Sequence, residues 1–338
     1  MSSLNQQIIT KISDIIFPNG QKLSDLMSEV IIKNNNIGFS IDISNQDLAN
    51  AELIRQQAIN KLSSIAEIDK ITIVFTKNEQ PPSNANPSAK AGKVKLLINN
   101  VGKVILVAAG KGGVGKSTIA ALIAEHLTRK KYAVGIVDAD IYGPSIPQIF
   151  NVNGAPTITA DKMMMPLKSR NIQIMSIGFL VAERSAIAWR GPMASKAIYQ
   201  LLSSTLWDRL DYLIIDMPPG TGDIHLAILE NYHIDGVVVV TTPQQISKLD
   251  VQKAIDLYKK FNLKILGIIE NMSYFIDSDG RDIKIFAGTS GNSLAQEYSV
   301  PFICQLPLIA ALSEACDRGT SLADVLDLPI EQLLANLD

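Results

Sequence analysis

The residues able to do chemistry are concentrated in one run, Val104–Thr118, VILVAAGKGGVGKST. An apolar stretch enters Gly110-Lys111-Gly112-Gly113-Val114-Gly115-Lys116-Ser117, which satisfies G-x-x-x-x-G-K-[ST] and leads through Thr118 into a helical pattern. Glycines at this spacing let backbone N–H groups turn inward around phosphate oxygens, and the start of a helix adds partial positive charge. Lys116 is placed to reach the β- and γ-phosphates and Ser117 to offer its hydroxyl to Mg²⁺. The expected ligand is therefore ATP. The competing reading, a glycine-rich turn without a ligand, does not account for the Lys-Ser pair or for the flanking elements.

Three aspartates extend the same chemistry. Asp138 and Asp140 close the apolar run ending Val137-Asp138-Ala139-Asp140, where carboxylates face a phosphate site and can hold Mg²⁺ waters or orient an attacking water. Asp216 ends Leu213-Ile214-Ile215-Asp216, an apolar strand followed by an acid suited to Mg²⁺. Any one of them alone could be a helix cap. The metal set expected is Ser117, Asp138 and Asp216.

Such groups need a frame. From Val101 onward apolar runs (Val104–Ala109, Ala133–Val137, Tyr212–Ile215, Gly236–Val240, Ile265–Ile269) alternate with amphipathic segments (Ser117–Arg129, Met193–Arg209, Ser247–Phe261). That alternation predicts a doubly wound α/β fold with a mostly parallel sheet, its ligands at the carboxyl ends of the strands. Residues 1–77 read as a small α+β domain. It comprises a helix over Asn5–Ile16, a strand over Ile37–Ile43 with alternate isoleucines and Phe39, a helix over Ala49–Ile65 and a strand over Ile71–Thr76. Residues 78–100 read as a flexible linker, with Pro, Ser, Asn and Ala dominating 78–92, and 101–338 as the nucleotide domain.

Of the 338 residues, 47% are hydrophobic and 19% charged, enough for sizeable cores, and the net charge of −2 argues against a globally basic nucleic-acid binder. No apolar run approaches a membrane span, and Met1–Phe17 has no basic leader before an apolar segment, so a cytoplasmic protein is expected. Two cysteines, Cys304 and Cys316, imply no disulfide framework. Both read as small buried hydrophobes, in a strand and a helix respectively. His126, His225 and His233 show no metal-ligand spacing, and Met163–Met165 reads as packing.

Lys111, early in the loop, makes the deviant Walker A pattern K-G-G-x-G-K-[ST], and chains with it resemble dimeric ATPases of the ParA/MinD-like superfamily. The resemblance narrows to the Mrp/ApbC family of iron–sulfur carrier ATPases. It is carried by VDADIYGPS (137–145), MSIGF (175–179), WRGPM (189–193), DMPPGTGD (216–223), TTPQ (241–244) and ENMSYF (270–275), spread from Lys103 to Asp324. It implies a homodimer in which Lys111 stabilises charge at the partner's nucleotide. It also implies a γ-phosphate switch of Asp216 with Pro218–Asp223, Asn271 near the adenine, and Asp140 rather than Asp138 orienting the attacking water. Catalysis would then rest on Lys111, Lys116, Asp140 and Asp216. The N-terminal domain resembles a degenerate version of one found alone in iron–sulfur assembly factors.

One departure stands out. Many members carry Cys-x-x-Cys after NMSYF, where two subunits together hold a cluster, and here Ile276-Asp277-Ser278-Asp279-Gly280-Arg281 has no cysteine. Carboxylates are poor replacements for thiolates, and DSDG is strong turn chemistry. The resemblance thus implies an ATP-hydrolysing, slowly turning over cluster carrier that serves apo-proteins and cluster-assembly proteins, with its cluster ligands unassigned. The alternative is a regulatory or scaffold ATPase of the partition or septum-positioning type that carries no cluster. Against that alternative, the C-terminal segment 321–338 is amphipathic but lacks Lys and Arg, and no clustered basic face is visible, so neither membrane nor DNA is expected as a partner.

Overall fold

The computed structural model describes residues 3–18, 20–28, 30–33, 36–43, 48–65, 70–76, 95–180, 191–288 and 290–337. The chain forms two compact units, Met1–Ala91 and Gly92–Asp338. Of the linker expected over 78–100, residues 78–94 lie outside the described residues, as does 181–190 with Trp189 and Arg190 of the WRGPM run. Residues 95–100 are not linker, because the Leu96 backbone bonds to Asn231 and His233 and Ile98 is buried in the core of the second unit.

In the first unit the helices are α1 (Ser3–Ile12), α2 (Leu23–Leu26) and α3 (Leu48–Leu62), and the strands β1 (Ile31–Lys33), β2 (Asn36–Asp42) and β3 (Lys70–Thr76). β2 and β3 run parallel with α3 between them in the chain, and β1 pairs antiparallel with β2. Alternate residues of β2 (Ile37, Phe39, Ile41) join Ile8, Ile12, Ala58 and Leu62 in one core. The first helix stops at Ile12 instead of continuing to Ile16. Pro18 disfavours helix at Phe17, and the backbone of Ile15 and Ile16 turns to meet Leu23 and Lys22. Ile15 is buried and Ile16 exposed in consequence.

The second unit is built on β4 (Val101–Ala109), α4 (Lys116–Arg129), β5 (Val134–Asp138), α5 (Ile146–Ile149), β6 (Thr157–Ile158), β7 (Met164–Met165), β8 (Leu167–Ser169) and β9 (Ile172–Ser176). Then follow α6 (Gly191–Ser203), β10 (Leu210–Asp216), α7 (Asp223–Asn231), β11 (Gly236–Thr241), α8 (Gln245–Lys260) and β12 (Ile265–Glu270). The last elements are β13 (Phe275–Ile276), β14 (Asp282–Ile283), α9 (Ser290–Tyr298), β15 (Phe302–Gln305), α10 (Ala310–Arg318) and α11 (Ile330–Ala335). The eight-stranded sheet has the order β15-β12-β11-β4-β10-β5-β9-β8, parallel except for the edge strand β8. This is the expected doubly wound α/β sheet.

Apolar runs become central strands because both their faces are covered. Val104, Leu106 and Ala108 of β4 enter a core with residues of α6, α7 and α8, while Ile105, Val107 and Ala109 enter the opposite core with α4, α10 and α11. The helix expected over Met193–Arg209 ends at Ser203. Beyond it Ser204 and Leu206 exchange backbone hydrogen bonds with Met164, and Trp207 drops into the core. Met164 is itself buried and Met165 exposed. Among the described residues no helix is long and apolar enough to cross a membrane.

Candidate nucleotide site

The sheet order decides the site. β10 lies between β4 and β5, in register so that Asp216 sits beside Val107 on one side and Asp138 on the other. The loop following β4, the Asp138–Asp140 turn following β5 and Asp216 therefore converge on one carboxyl edge, where an open α/β sheet binds ligands. A cavity of about 360 Å³ opens there, lined among others by Lys111, Lys116, Ser117, Asp140, Pro219 and Cys316. Gly112, Gly113, Gly115 and Thr118 face the cavity, while Gly110, at the loop front, packs against α8 and Val114 is buried.

Two glycines are dictated by close approach. A Cβ on Gly110 would lie 2.4 Å from the carbonyl carbon of Asp250 and 2.5 Å from the nitrogen of Val251, so α8 backbone presses directly on the loop front. Gly115 has φ +83° and a built Cβ only 2.3 Å from Asn271 Nδ2. Asn271 donates that amide to the carbonyl of Val114 at 2.9 Å, which fixes the loop from behind. Only glycine meets both the left-handed conformation and the contact.

Lys116 is buried and opens α4. Its Nζ donates to Asp216 Oδ1 at 2.6 Å and to Ser117 Oγ at 3.2 Å, and stands 3.8 Å from Asp140 Oδ2. Asp216 is fully buried, and its second oxygen, Oδ2, has no hydrogen-bond partner. Burial pushes the Asp216 carboxyl up, opposed by Lys116. Asp138 is equally buried, and burial followed by the neighbouring charge of Asp216 pushes it up to about 8. Its oxygens are already engaged: Oδ1 accepts the Asp140 N–H (3.1 Å), and Oδ2 accepts the Ile146 N–H (3.1 Å) and the Ser176 hydroxyl (3.2 Å). Asp138 thus shapes the turn that presents Asp140, whose Oδ1 in turn accepts the Tyr142 N–H at 3.2 Å.

A buried Asp216 oxygen without a partner, beside a serine hydroxyl at a helix start, is a set of hard oxygen donors suited to Mg²⁺. Lys111 points to the side, its Nζ donating to Gln244 Oε1 at 3.0 Å.

Comparison with known proteins gives the family and the fold. Residues 100–336 match the family model described as "ParA: NUBPL iron-transfer P-loop NTPase". A Rickettsia felis protein named iron-sulfur cluster carrier protein is 56% identical over 335 residues, covering 99% of this chain and 100% of that one. The chain belongs to this family of P-loop NTPases. A carrier of the same name from Escherichia coli K12 is 47% identical over 225 residues, covering 66% of the NTPase and 61% of the relative. Among solved structures, a nucleotide-binding protein from Archaeoglobus fulgidus in complex with ADP superposes with a TM-score of 0.60 at 35% identity, covering 68% of the NTPase and 91% of that chain. MinD of Pyrococcus horikoshii, solved with Mg-ADP, shares the fold (TM-score 0.51, 20% identity, 70% of the NTPase and 94% of that chain).

The segment 276–281, where the resemblance leads to the expectation of Cys-x-x-Cys, belongs to a β13–β14 hairpin. Asp277 Oδ1 accepts the N–H groups of Asp279 and Arg281 (both 2.9 Å), and Arg281 pairs with Asp277 and Asp279. The two acids are occupied with turn-making. Burial pushes the Cys304 thiol up to about 12 and also raises Cys316, so both are poor thiolates. Among the described residues no group of three His, Cys, Asp or Glu side chains is arranged for a metal.

Several functional neighbours carried no signal in the sequence reading. Cys316 Sγ lies 3.7 Å from Thr118 Oγ1, brought there by α10 from 198 residues away. Gln244 was visible only as part of the TTPQ run. His225 and Tyr258, both fully buried, hydrogen-bond to one another behind the Asp216 loop.

Proposed function

We propose that the protein is an ATP-hydrolysing iron–sulfur cluster carrier that acts as a homodimer and delivers its cargo to apo-proteins. The full-length 56% identity to the Rickettsia felis carrier is the observation that carries this reading. The complete phosphate site supports the ATPase half of it, with Lys116 buried against Asp216 and an unpartnered Asp216 oxygen beside it.

The chain's own groups divide the work as follows. The loop Gly110–Thr118 wraps the phosphates through backbone N–H groups, and Lys116 exchanges its contact with Asp216 for the β/γ-phosphate oxygens. Ser117 and Asp216 hold Mg²⁺, with Asp138 supporting that edge of the site. When bound, the ion neutralises phosphate charge. Asp140, held by the Tyr142 N–H, orients water for in-line attack. Lys111 leaves Gln244 and reaches the partner subunit's nucleotide, placing a positive charge where negative charge develops. Asn271, behind the loop, contributes to the base end of the pocket. The iron–sulfur cluster is the cargo of this cycle, and the β13–β14 hairpin offers it no thiolate.

Anaerobic reconstitution with iron and sulfide, counted per dimer and followed by transfer to an apo-protein, tests the reading. A stoichiometric and transferable cluster is expected. A dimer that neither loads nor passes on a cluster, under conditions where a cysteine-bearing relative loads, rules the carrier role out and leaves the ATPase.

A further inference from the structure

We infer that His225 and Tyr258 are positioning residues for nucleotide hydrolysis, acting as a buried latch on the loop Pro218–Gly222; this rests on the ATPase reading above. Both side chains are fully buried, His225 in the first turn of α7 and Tyr258 in the last turn of α8. His225 Nδ1 lies 2.9 Å from the Tyr258 hydroxyl and Nε2 lies 2.9 Å from the carbonyl oxygen of Pro218. A carbonyl can only accept, so Nε2 carries the proton. Nδ1 is then the acceptor and Tyr258 the donor. The chain Tyr258 O–H to His225 to Pro218 C=O has one direction, and each member fixes the next.

The loop it holds is short of ties. Pro218 and Pro219 have no backbone N–H to donate. On the strand side Met217 N–H donates to Val107 O and Gly220 N–H to Ala109 O, both at 3.0 Å. On the helix side the first turn of α7 holds Gly222, whose carbonyl accepts the N–H groups of His225 (3.0 Å) and Leu226 (3.4 Å), and the His225 side chain supplies the tie to Pro218. Between these anchors Pro219, three residues after Asp216, forms part of the nucleotide cavity wall.

The far end of the latch is equally well fixed. α8 carries Tyr258 and also presses its Asp250–Val251 backbone on Gly110, and Gln244 just before it takes Lys111. The front of the phosphate loop and the loop after Asp216 are thereby referenced to one helix. A buried imidazole and phenol in an apolar core are costly unless paired. Their pairing here leaves them free to define position and not only to fill space.

Three variants read the latch. Tyr258→Phe removes one hydroxyl and keeps the ring, His225→Leu removes the donor to Pro218, and His225→Gln restores an amide donor. Each is assayed for kcat, for affinity to fluorescent ADP and a non-hydrolysable ATP analogue, and for thermal unfolding. Misplacing a reacting group by about 1 Å can cost about 100-fold in rate, and smaller displacements cost less. On that basis kcat should fall ~5-fold in Tyr258→Phe and ~30-fold in His225→Leu, with ADP affinity within about twofold. The ATP-analogue-to-ADP affinity ratio should fall alongside, and His225→Gln should recover part of both.

Unchanged kcat and affinity ratio in His225→Leu and Tyr258→Phe overturn the latch. So does a parallel loss of ADP and analogue affinity that simply tracks the melting temperature, because that is the mark of a packing role. A wild type that binds nucleotide without hydrolysing it defeats the ATPase reading, while the affinity ratio still decides the latch. A wild type that binds no nucleotide defeats both.

Discussion

The carboxyl edge at β4, β5 and β10 and the hairpin β13–β14 are both rich in aspartate, yet they use it in opposite ways. At the sheet edge Asp138 and Asp216 are fully buried, Lys116 is nearly so, and one Asp216 oxygen is left without a partner. In the hairpin, Asp279 and Arg281 keep 65% and 71% of their side-chain surface, and Asp277 spends its oxygens on its own turn. Buried polar groups are tolerated only where each is paired or awaits a ligand, so the unmet Asp216 oxygen points to a ligand. Exposed charge that closes its own turn needs no ligand to explain it. An acidic cluster therefore signals a site through its burial and its unmet bonds, and its composition alone says little.

The largest effect that could break this contrast is Lys116→Ala. Loss of the phosphate-binding cation should lower turnover by ~100-fold or more. Asp216 would also be left buried without its partner, which costs about 3 kcal/mol or more. Turnover assays and chemical denaturation read the two effects separately. Hydrolysis at the wild-type rate in this variant would remove the phosphate-site assignment altogether.

Lys111→Ala should act differently, because Lys111 is bonded to the neutral Gln244 and no buried acid depends on it. Stability and ADP affinity should hold while hydrolysis falls at least ~10-fold, as for loss of a charge supplied in trans. Wild-type turnover per subunit should also rise with protein concentration. An unchanged rate in the variant counts against action across a dimer.

The difference between the two lysines also marks what the sequence makes legible. A contiguous motif displays its chemistry directly, and the strand–loop–helix context of 104–129 follows from apolar periodicity. The double burial of β4, β10 and β11 was visible as unbroken apolar runs. The antiparallel edge strand β8 and the break of α6 at Ser203 were not: β8 is three residues long, too short to show a period, and the break depends on pairing with a segment some forty residues earlier. Thr205 meets Met164, and Ser169 meets Ile172 on the next strand. The pairings of Lys111 with Gln244, Thr118 with Cys316 and His225 with Tyr258 are likewise long-range, and no local spacing encodes them.

Burial of His225 sharpens the contrast through pH. Burial holds the imidazole down at about 4, below the ordinary value of 6.5, so the folded state keeps it neutral while the unfolded state binds a proton first. Its contribution is present above pH ~6.5 and is lost as pH falls toward 4; between pH 7 and 5 the loss is about 2 kcal/mol. Chemical denaturation of wild type and His225→Gln at both pH values isolates this share, since other carboxylates are common to the two. Equal pH dependence in both would mean that His225 is not held neutral by the fold.

Arg281→Ala carries the smallest expected effect and tests the other side of the comparison. The arginine joins Asp277 and Asp279 at the tip of the hairpin, with most of its side chain in water, where an ion pair is worth about 0–1 kcal/mol. Removing it frees both carboxylates without burying either, and Asp277 still accepts the backbone N–H groups that close the turn. Stability should therefore change by less than about 0.5 kcal/mol and ATP turnover by less than about twofold. Cluster loading per dimer, measured after reconstitution, should also be unchanged if the hairpin acids are turn-makers alone. A marked gain or loss of bound iron would show that the exposed acids do more than close a turn, and exposure would then fail as the criterion separating the two regions.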